Sequence, residues 1–232
     1  QFNVIMEGLV QSWKIFPQKG EIHFAGALEN NEDTGTLQYL ASTAMEAGFS
    51  TRVLDMQALD LQNGRFFDPA GELVNRCFKL YPWEWMVDES PDGCLAEMEW
   101  LEPIWKLVMS NKAILATLYE LFPDSPYVLP CYLSRPRSGL FCKKPVFSRE
   151  GHNVSVVDIR DWEEYVRIAE TEGDYNTGAY VYQEYVEPTA YSGRYPVIGS
   201  WIIGGEAAGI GIRENRMEVT DNLSEFVPHI IG

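Results

Sequence analysis

The sequence predicts a mixed architecture in two parts, an α/β portion followed by an α+β portion, with the boundary near residue 104. Helix-like and strand-like stretches alternate through the first half, the pattern of parallel strands joined by crossovers. After a Pro/Ser/Arg-rich connector, Pro130 to Gly139, the pattern changes to strands and turns. With 46% hydrophobic and 22% charged residues among 232, the chain has apolar content for one large domain or two smaller ones.

In the first half, Val4 to Phe16 has the apolar spacing of an amphipathic helix. That spacing begins at Phe2, and the first residue is Gln1, so the expectation is a chain that starts inside a larger domain. Glu21 to Ala27 reads as a strand, Thr34 to Ala47 as a helix closed by Gly48, and Thr51 to Met56 as a second strand. Gly64 to Gly71 suits a short hairpin or turn, and Val74 to Leu80 a strand. Pro82-Trp-Glu-Trp-Met86 opens a helix with proline in its first turn. Glu102 to Phe122 is helix-forming with a polar break at Ser110-Asn-Lys112, where Ser110 is placed to cap a second helix.

In the second half, Phe141 to Asp158 places Lys143 and Lys144 at the end of one strand, then a polar loop, then a second strand. Pro145 cannot donate to a ladder and ends the first strand. Gly151 and Asn153 tolerate positive φ and let N–H groups turn towards an anion, and Val154 to Val157 resumes a strand. Such a hairpin suits a lid over phosphates; it equally suits a basic surface turn. Successive side chains alternate along a strand, so Lys143 faces away from Lys144.

Ala179 to Val186 is a strand whose polar pair, Gln183-Glu184, sits late, where a strand end can present groups to a purine edge. Val197 to Ile203 and Glu206 to Arg213 form a hairpin across Gly204-Gly205. Gly209-Ile-Gly211 is no dinucleotide fingerprint, because no helix comes after it; glycines in a strand instead allow a ligand or another backbone to come close. Arg213, at that strand's end, either projects beside a ligand or makes a surface salt bridge.

The net charge of −16 argues against a nucleic-acid partner, which needs a basic face. It is compatible with a cationic partner such as a polyamine, or with solubility alone. No run approaches the ~20 apolar residues that span a bilayer and no signal peptide opens the chain, so no membrane partner and a cytoplasmic location are expected. Cys77, Cys94, Cys131 and Cys142 form no Cys-x-x-Cys pair and only three histidines accompany them, so no zinc site is expected and a reducing compartment is. Trp83, Trp85, Trp100 and Trp105 read as core aromatics. His152 is placed to touch phosphate or to be solvated, and Asp221-Asn222 to reach a metal or to cap a helix.

Six segments in series resemble one family. Leu80-Tyr-Pro-Trp-Glu-Trp85, Ser110-Asn-Lys-Ala-Ile-Leu115, Lys144-Pro-Val-Phe-Ser-Arg-Glu-Gly151, Tyr182-Gln-Glu-Tyr-Val186, Ile198-Gly-Ser-Trp201 and Gly209-Ile-Gly-Ile-Arg-Glu214 look like the synthetase domain of glutathionylspermidine synthase and its short bacterial relatives. The resemblance covers essentially the whole chain. It implies an ATP-grasp fold over residues 104–232, preceded by a pre-ATP-grasp portion over residues 1–103. It also implies ATP-dependent amide formation between a carboxylate and an amine through an acyl phosphate. The family's ATP-binding lysines fall on Lys112 and Lys144, its glycine-containing loop on Phe147 to Asn153 with Gly151, and its adenine-facing segment on Gln183, Glu184, Tyr185 and Val186. Its phosphoryl-steadying arginine falls on Arg213, and Glu32, Asp33 and Glu84 are the implied amine-site candidates.

The sequence departs from the family pattern in three ways. The family's magnesium-binding carboxylates and asparagine fall in a segment this sequence does not include, so ATP and Mg2+ are expected cofactors whose principal metal ligands lie upstream, and the fragment alone is expected to be inactive. Glu29-Asn-Asn-Glu-Asp-Thr34 looks like that metal motif, but the next residues, Gly35-Thr-Leu-Gln-Tyr-Leu40, resemble a later family segment; the same acidic run also suits a helix N-terminus. Where the glutathionylspermidine enzymes carry a threonine touching glutathione, this chain has Lys79-Leu-Tyr-Pro-Trp-Glu84, which leaves a glutathione-like peptide only one possible acid. There is also no amidase portion. Two functions remain: an acid–amine ligase, or a nucleotide-binding module or incomplete ligase fragment without catalysis.

Overall fold

A computed structural model describes residues 3–17, 20–161, 164–175, 178–219 and 224–230. Asp221 and Asn222 lie outside the described residues. The chain divides into two compact units: Gln1–Leu107 with Ser200–Ile210, and Val108–Gly199 with Gly211–Gly232.

The first unit starts with α1 (Ile5–Lys14), β1 (Glu21–Gly26), α2 (Asn31–Glu46) and β2 (Ser50–Asp55). α2 starts earlier than the sequence spacing suggests, because the Asn30 side chain accepts from the Glu32 N–H at 2.9 Å and caps the helix there. Glu32 and Asp33 therefore fall in its first turn, where the helix dipole favours negative charge. Next come β3 (Asp60–Gln62), β4 (Arg65–Phe67) and β5 (Leu73–Val74), a three-stranded antiparallel meander. Asn63 and Gly64, at φ of 50° and 75°, make the tight turn between β3 and β4.

At β6 (Arg76–Leu80) the structure departs from the sequence expectation. The single strand expected from Val74 to Leu80 is two strands in two sheets, because the backbone turns away at Asn75, whose carbonyl accepts from Glu99 N–H at 2.9 Å. After β6 the chain forms α3 (Trp83–Glu89), α4 (Pro91–Cys94) and β7 (Glu99–Leu101). The main sheet, ordered β2-β1-β6-β7, is parallel throughout, as alternating strands and helices require.

Alternation along β1 sends Ile22 and Phe24 to one core, with Val10 and Trp13 of α1 and Leu37, Leu40 and Ala44 of α2. It sends Ala25 to the other core, with Phe66, Cys77, Trp83, Met86 and Trp100. Of the four tryptophans read as core, Trp83 and Trp100 are buried. Trp85 and Trp105 are exposed, at 37% and 60%. A two-turn helix buries one face only, and Trp105 sits in a 3-10 turn, Ile104–Lys106, that leads directly into the next short helix, with its ring left exposed.

In the second unit α5 (Leu107–Ser110) and α6 (Ala113–Leu121) replace one long helix. The N-cap position is Lys112, without a side-chain cap bond, and the residue before it, Asn111, accepts from Ala113 N–H through its Oδ1 at 2.9 Å, where the sequence spacing placed Ser110. β8 (Cys131–Tyr132), β9 (Gly139–Pro145), β10 (Ser155–Ile159), β11 (Tyr165–Glu170) and β12 (Tyr180–Glu184) form a sheet ordered β11-β10-β9-β12-β8. Ala116 of α6 packs on Cys131 and Val181, while Phe141, Val157 and Ile159 make a small core with Tyr182.

β13 (Tyr195–Ile203) and β14 (Glu206–Asn215) form a hairpin, and β15 (Glu225–Val227) adds to β14. Gly204 and Gly205, at φ of 61° and 89°, make the primed turn the sequence requires. The group that comes close at Gly209 is the Asn3 side chain, which accepts from Ile210 N–H and donates to its carbonyl, both at 2.9 Å. Arg213 lies within β14 and not at its end.

Candidate functional site

The second unit encloses a cavity of about 430 Å3. It lies on the face of the sheet that carries Cys142 and Lys144 of β9, Val156 of β10 and Gln183 of β12. Register explains the grouping: Cys142 stands opposite both Val156 and Gln183, and Lys144 opposite Val181, so all share one face. Lys143 faces the other way, its Nζ 3.9 Å from the centroid of the Tyr180 ring.

The two lysines in the cavity are held by neutral oxygens. Lys144 Nζ donates to Gln183 Oε1 at 2.7 Å. Lys112 enters from just before α6, and its Nζ donates to Ser148 O at 2.6 Å and to Ser148 Oγ at 3.0 Å. Between β9 and β10 the loop containing Gly151 also lines the cavity through Ser148, Arg149, Glu150 and Gly151, and Glu150, Gly151 and Asn153 are all at positive φ. Residues 183–186 close the side, where Glu184 N–H donates to Pro130 O at 2.8 Å and Tyr185 N–H to Leu140 O at 3.0 Å.

Seven residues singled out from the sequence, Lys112, Lys144, Gly151 and residues 183–186, thus line one cavity. Arg213 is not among its lining residues; its guanidinium lies 5.8 Å from the ring centroid of Phe226, its partner across β14 and β15. Glu32, Asp33 and Glu84 belong to the first unit, on α2 and α3. His152 packs beside Tyr175, with ring centroids 5.9 Å apart, and lines a neighbouring cavity of about 650 Å3.

Leu129, Pro188, Glu218 and Val219 also line the cavity and were not singled out from the sequence, and Ser148 fell within the Phe147 to Asn153 loop without a role of its own. Ser148 matters through its carbonyl as well as its hydroxyl, and no residue code announces a carbonyl. Glu218, from beyond β14, accepts from Tyr185 OH at 2.6 Å; burial and that bond both raise the phenol's pKa. The apolar floor was in principle readable, since Cys142 is Lys144's same-face neighbour two residues back. Burial pushes the Cys142 thiol up, with Lys144 opposing, so it is protonated and inert at neutral pH. Among the described residues no group of three or more His, Cys, Asp or Glu side chains converges as a metal site.

The first unit buries a lysine of its own. Lys79 is 4% exposed, donates to Tyr81 O at 2.6 Å and lies 3.8 Å from the Trp83 ring centroid. Burial pushes it down to about 8, against the opposing pull of Glu102 and Glu84.

The profile of the glutathionylspermidine synthase pre-ATP-grasp family matches residues 1–232. The chain belongs to that family. Among the glutathionylspermidine synthase family's relatives, a protein assigned as an acid–amine ligase from Haemophilus influenzae is 34% identical over 99% of this chain and 62% of its own length. Trypanothione synthetase from Crithidia fasciculata is 27% identical over 96% of this chain and 38% of its own length. The bifunctional glutathionylspermidine synthetase/amidase of Escherichia coli is 26% identical over 97% of this chain and 41% of its own length. The chain therefore spans less than two thirds of each of these relatives. A crystal structure of a protein assigned as a γ-glutamylcysteine synthetase from Methylobacillus flagellatus shares the fold, at a TM-score of 0.62 and 10% identity, over 97% of this chain and 72% of that one. The relatives support a ligase at family level. No helix in the described residues is long and apolar enough to cross a membrane.

Proposed function

We propose that this chain supplies the nucleotide site of an ATP-dependent acid–amine ligase of ATP-grasp type, which joins a carboxylate to an amine through an acyl phosphate. The observation that carries the reading is the second unit's cavity, where Lys112, Lys144 and the Gly151 loop converge beside residues 183–186. Two ammonium groups and a loop with turned backbone suit a triphosphate, and a strand end with exposed polar groups suits the adenine edge. A carboxylate oxygen attacks the γ-phosphorus and ADP leaves; the amine then attacks the acyl carbon and phosphate leaves. Negative charge spreads over the equatorial oxygens in the first step, so fixed cations are the tools required.

In this reading Arg213 steadies the transferring phosphoryl group, and Glu32, Asp33 and Glu84 receive the amine. A polyamine fits their charge, and a glutathione-like peptide fits the acid by analogy with the named relatives. Mg2+ would accompany the ATP, and among the described residues no group of three or more His, Cys, Asp or Glu side chains gathers to hold it.

The test is ADP release by the full-length protein with a γ-carboxylate peptide and spermidine. Release that depends on the amine is expected. ATP binding with no amine-dependent release under any acid tried would favour a non-catalytic nucleotide module instead. Arg213→Ala should abolish turnover and leave ATP affinity within about tenfold, the pattern of a contact made in the transition state. Equal loss of both would remove Arg213 from the mechanism.

A further inference from the structure

We infer that Asn153 is a positioning residue for phosphate. Its side chain fastens the far limb of the 148–153 loop to the backbone after β11, so that the loop stands over the cavity before a nucleotide arrives. The inference rests on the nucleotide reading of that cavity.

The loop has two limbs, held by different means. The near limb is tied by Lys112, whose ammonium bonds Ser148 and also lines the cavity. A phosphate therefore competes for the group that holds this limb. The far limb is tied by groups that are not among the cavity's lining residues. Asn153 Nδ2 donates to Gly173 O at 2.9 Å, and Asn153 Oδ1 accepts from Tyr175 N–H at 2.7 Å. One side-chain amide thus pairs with two points of the same backbone, as a neighbouring strand residue would. Its backbone stands at φ of 54°, a conformation asparagine enters more readily than most residues. Aspartate lacks the donor and glycine lacks both groups, so neither could make the two bonds from this backbone.

Two neighbours reinforce the fastening. Thr171 Oγ1 donates to Gly151 O and accepts from Val154 N–H at 3.0 Å, and Thr171 N–H donates to Val154 O at 2.9 Å. A Cβ on Gly173 would lie 2.5 Å from His152 Cβ, so only glycine lets the two segments lie this close. A loop fixed before binding has its ordering cost already met, and that raises affinity for the part of the ligand it faces. The effect should therefore follow phosphate content rather than the base.

Calorimetric titration of the wild type, Asn153→Ala and Asn153→Gly with ATP, ADP and adenosine tests this. Loss of two hydrogen bonds should weaken ATP and ADP binding about tenfold and leave adenosine within about twofold. Asn153→Gly accepts the backbone conformation without strain, so it should fall as far as Asn153→Ala. Amide exchange of residues 148–153 should quicken in both variants. Wild-type affinity in Asn153→Gly would assign the effect to strain and overturn the inference. Equal loss for all three ligands, or for none, would do the same while leaving the nucleotide reading intact. A wild-type protein that binds none of the three would sink the nucleotide reading, and this inference with it.

Discussion

Lys79 and Lys144 show how surroundings set what one residue type does. Lys144 sits at a cavity, bonded to a neutral amide oxygen, and its charge faces open space. Replacing it with methionine should weaken ATP binding by about tenfold to a hundredfold, the range for a charged hydrogen bond, as read by titration. Lys79 is buried in the first unit and titrates near 8, below its unfolded value, because burial penalises its charge. Between that folded value and the unfolded one the unfolded chain binds more protons, so stability rises with pH. Cys77 and Cys94 of the same unit act in the opposite sense as pH nears 9, since burial pushes both thiols up, that of Cys77 to about 12. The window in which Lys79 leads is therefore close to pH 8. Thermal or urea unfolding of the first unit should gain at most about 1.4 kcal/mol per pH unit there, and Lys79→Met should remove the slope. An unchanged slope in that variant would show that Lys79 is not the titrating group. That Lys143 and Lys144 face opposite sides of the sheet could be read from alternation alone; the depressed pKa of Lys79 could not, because it comes from burial among groups from other elements, Trp83 included, which outweighs the raising pull of Glu102 and Glu84.

Elements were legible where backbone chemistry is local. The Gly204-Gly205 turn needs two positive φ values and two glycines supply them. Pro145 ends β9 because it has no N–H to give. Boundaries set by a side chain reaching back were less legible. Asn30 starts α2 before the apolar spacing does, and Asn30→Ala should cost about 1 kcal/mol of first-unit stability in denaturant titration. At the start of α6 it is the Asn111 Oδ1, and not the Ser110 the spacing suggested, that meets the Ala113 N–H. The division between β5 and β6 had no local signal, since Leu73, Val74 and Phe78 are all strand formers; it depends on two different sheets claiming the two halves.

At the scale of the molecule, each unit is stabilised by its own buried apolar residues. Leu37, fully buried between α2 and β1, is among the costliest places to remove volume in the first unit. Leu37→Ala should destabilise it by about 2–5 kcal/mol, seen as a lower denaturant midpoint. The amine reading carries its own test: Glu32→Gln with Asp33→Asn should raise the amine KM and leave ATP affinity unchanged, and an unaltered KM would return both residues to the role of helix N-terminus. The sequence by itself determined parallel pairing in the first unit, the hairpins around Gly151 and Gly204-Gly205, and which side chains alternate on a strand, because alternation, proline, glycine and charge act along the chain. Only the tertiary structure decided which of those residues share the second unit's cavity, that Arg213 is not among its lining residues, and that Lys112 and Asn153 hold the same loop from its two ends. Those facts depend on strand register and on bonds between residues distant in sequence, and one-dimensional spacing does not encode them.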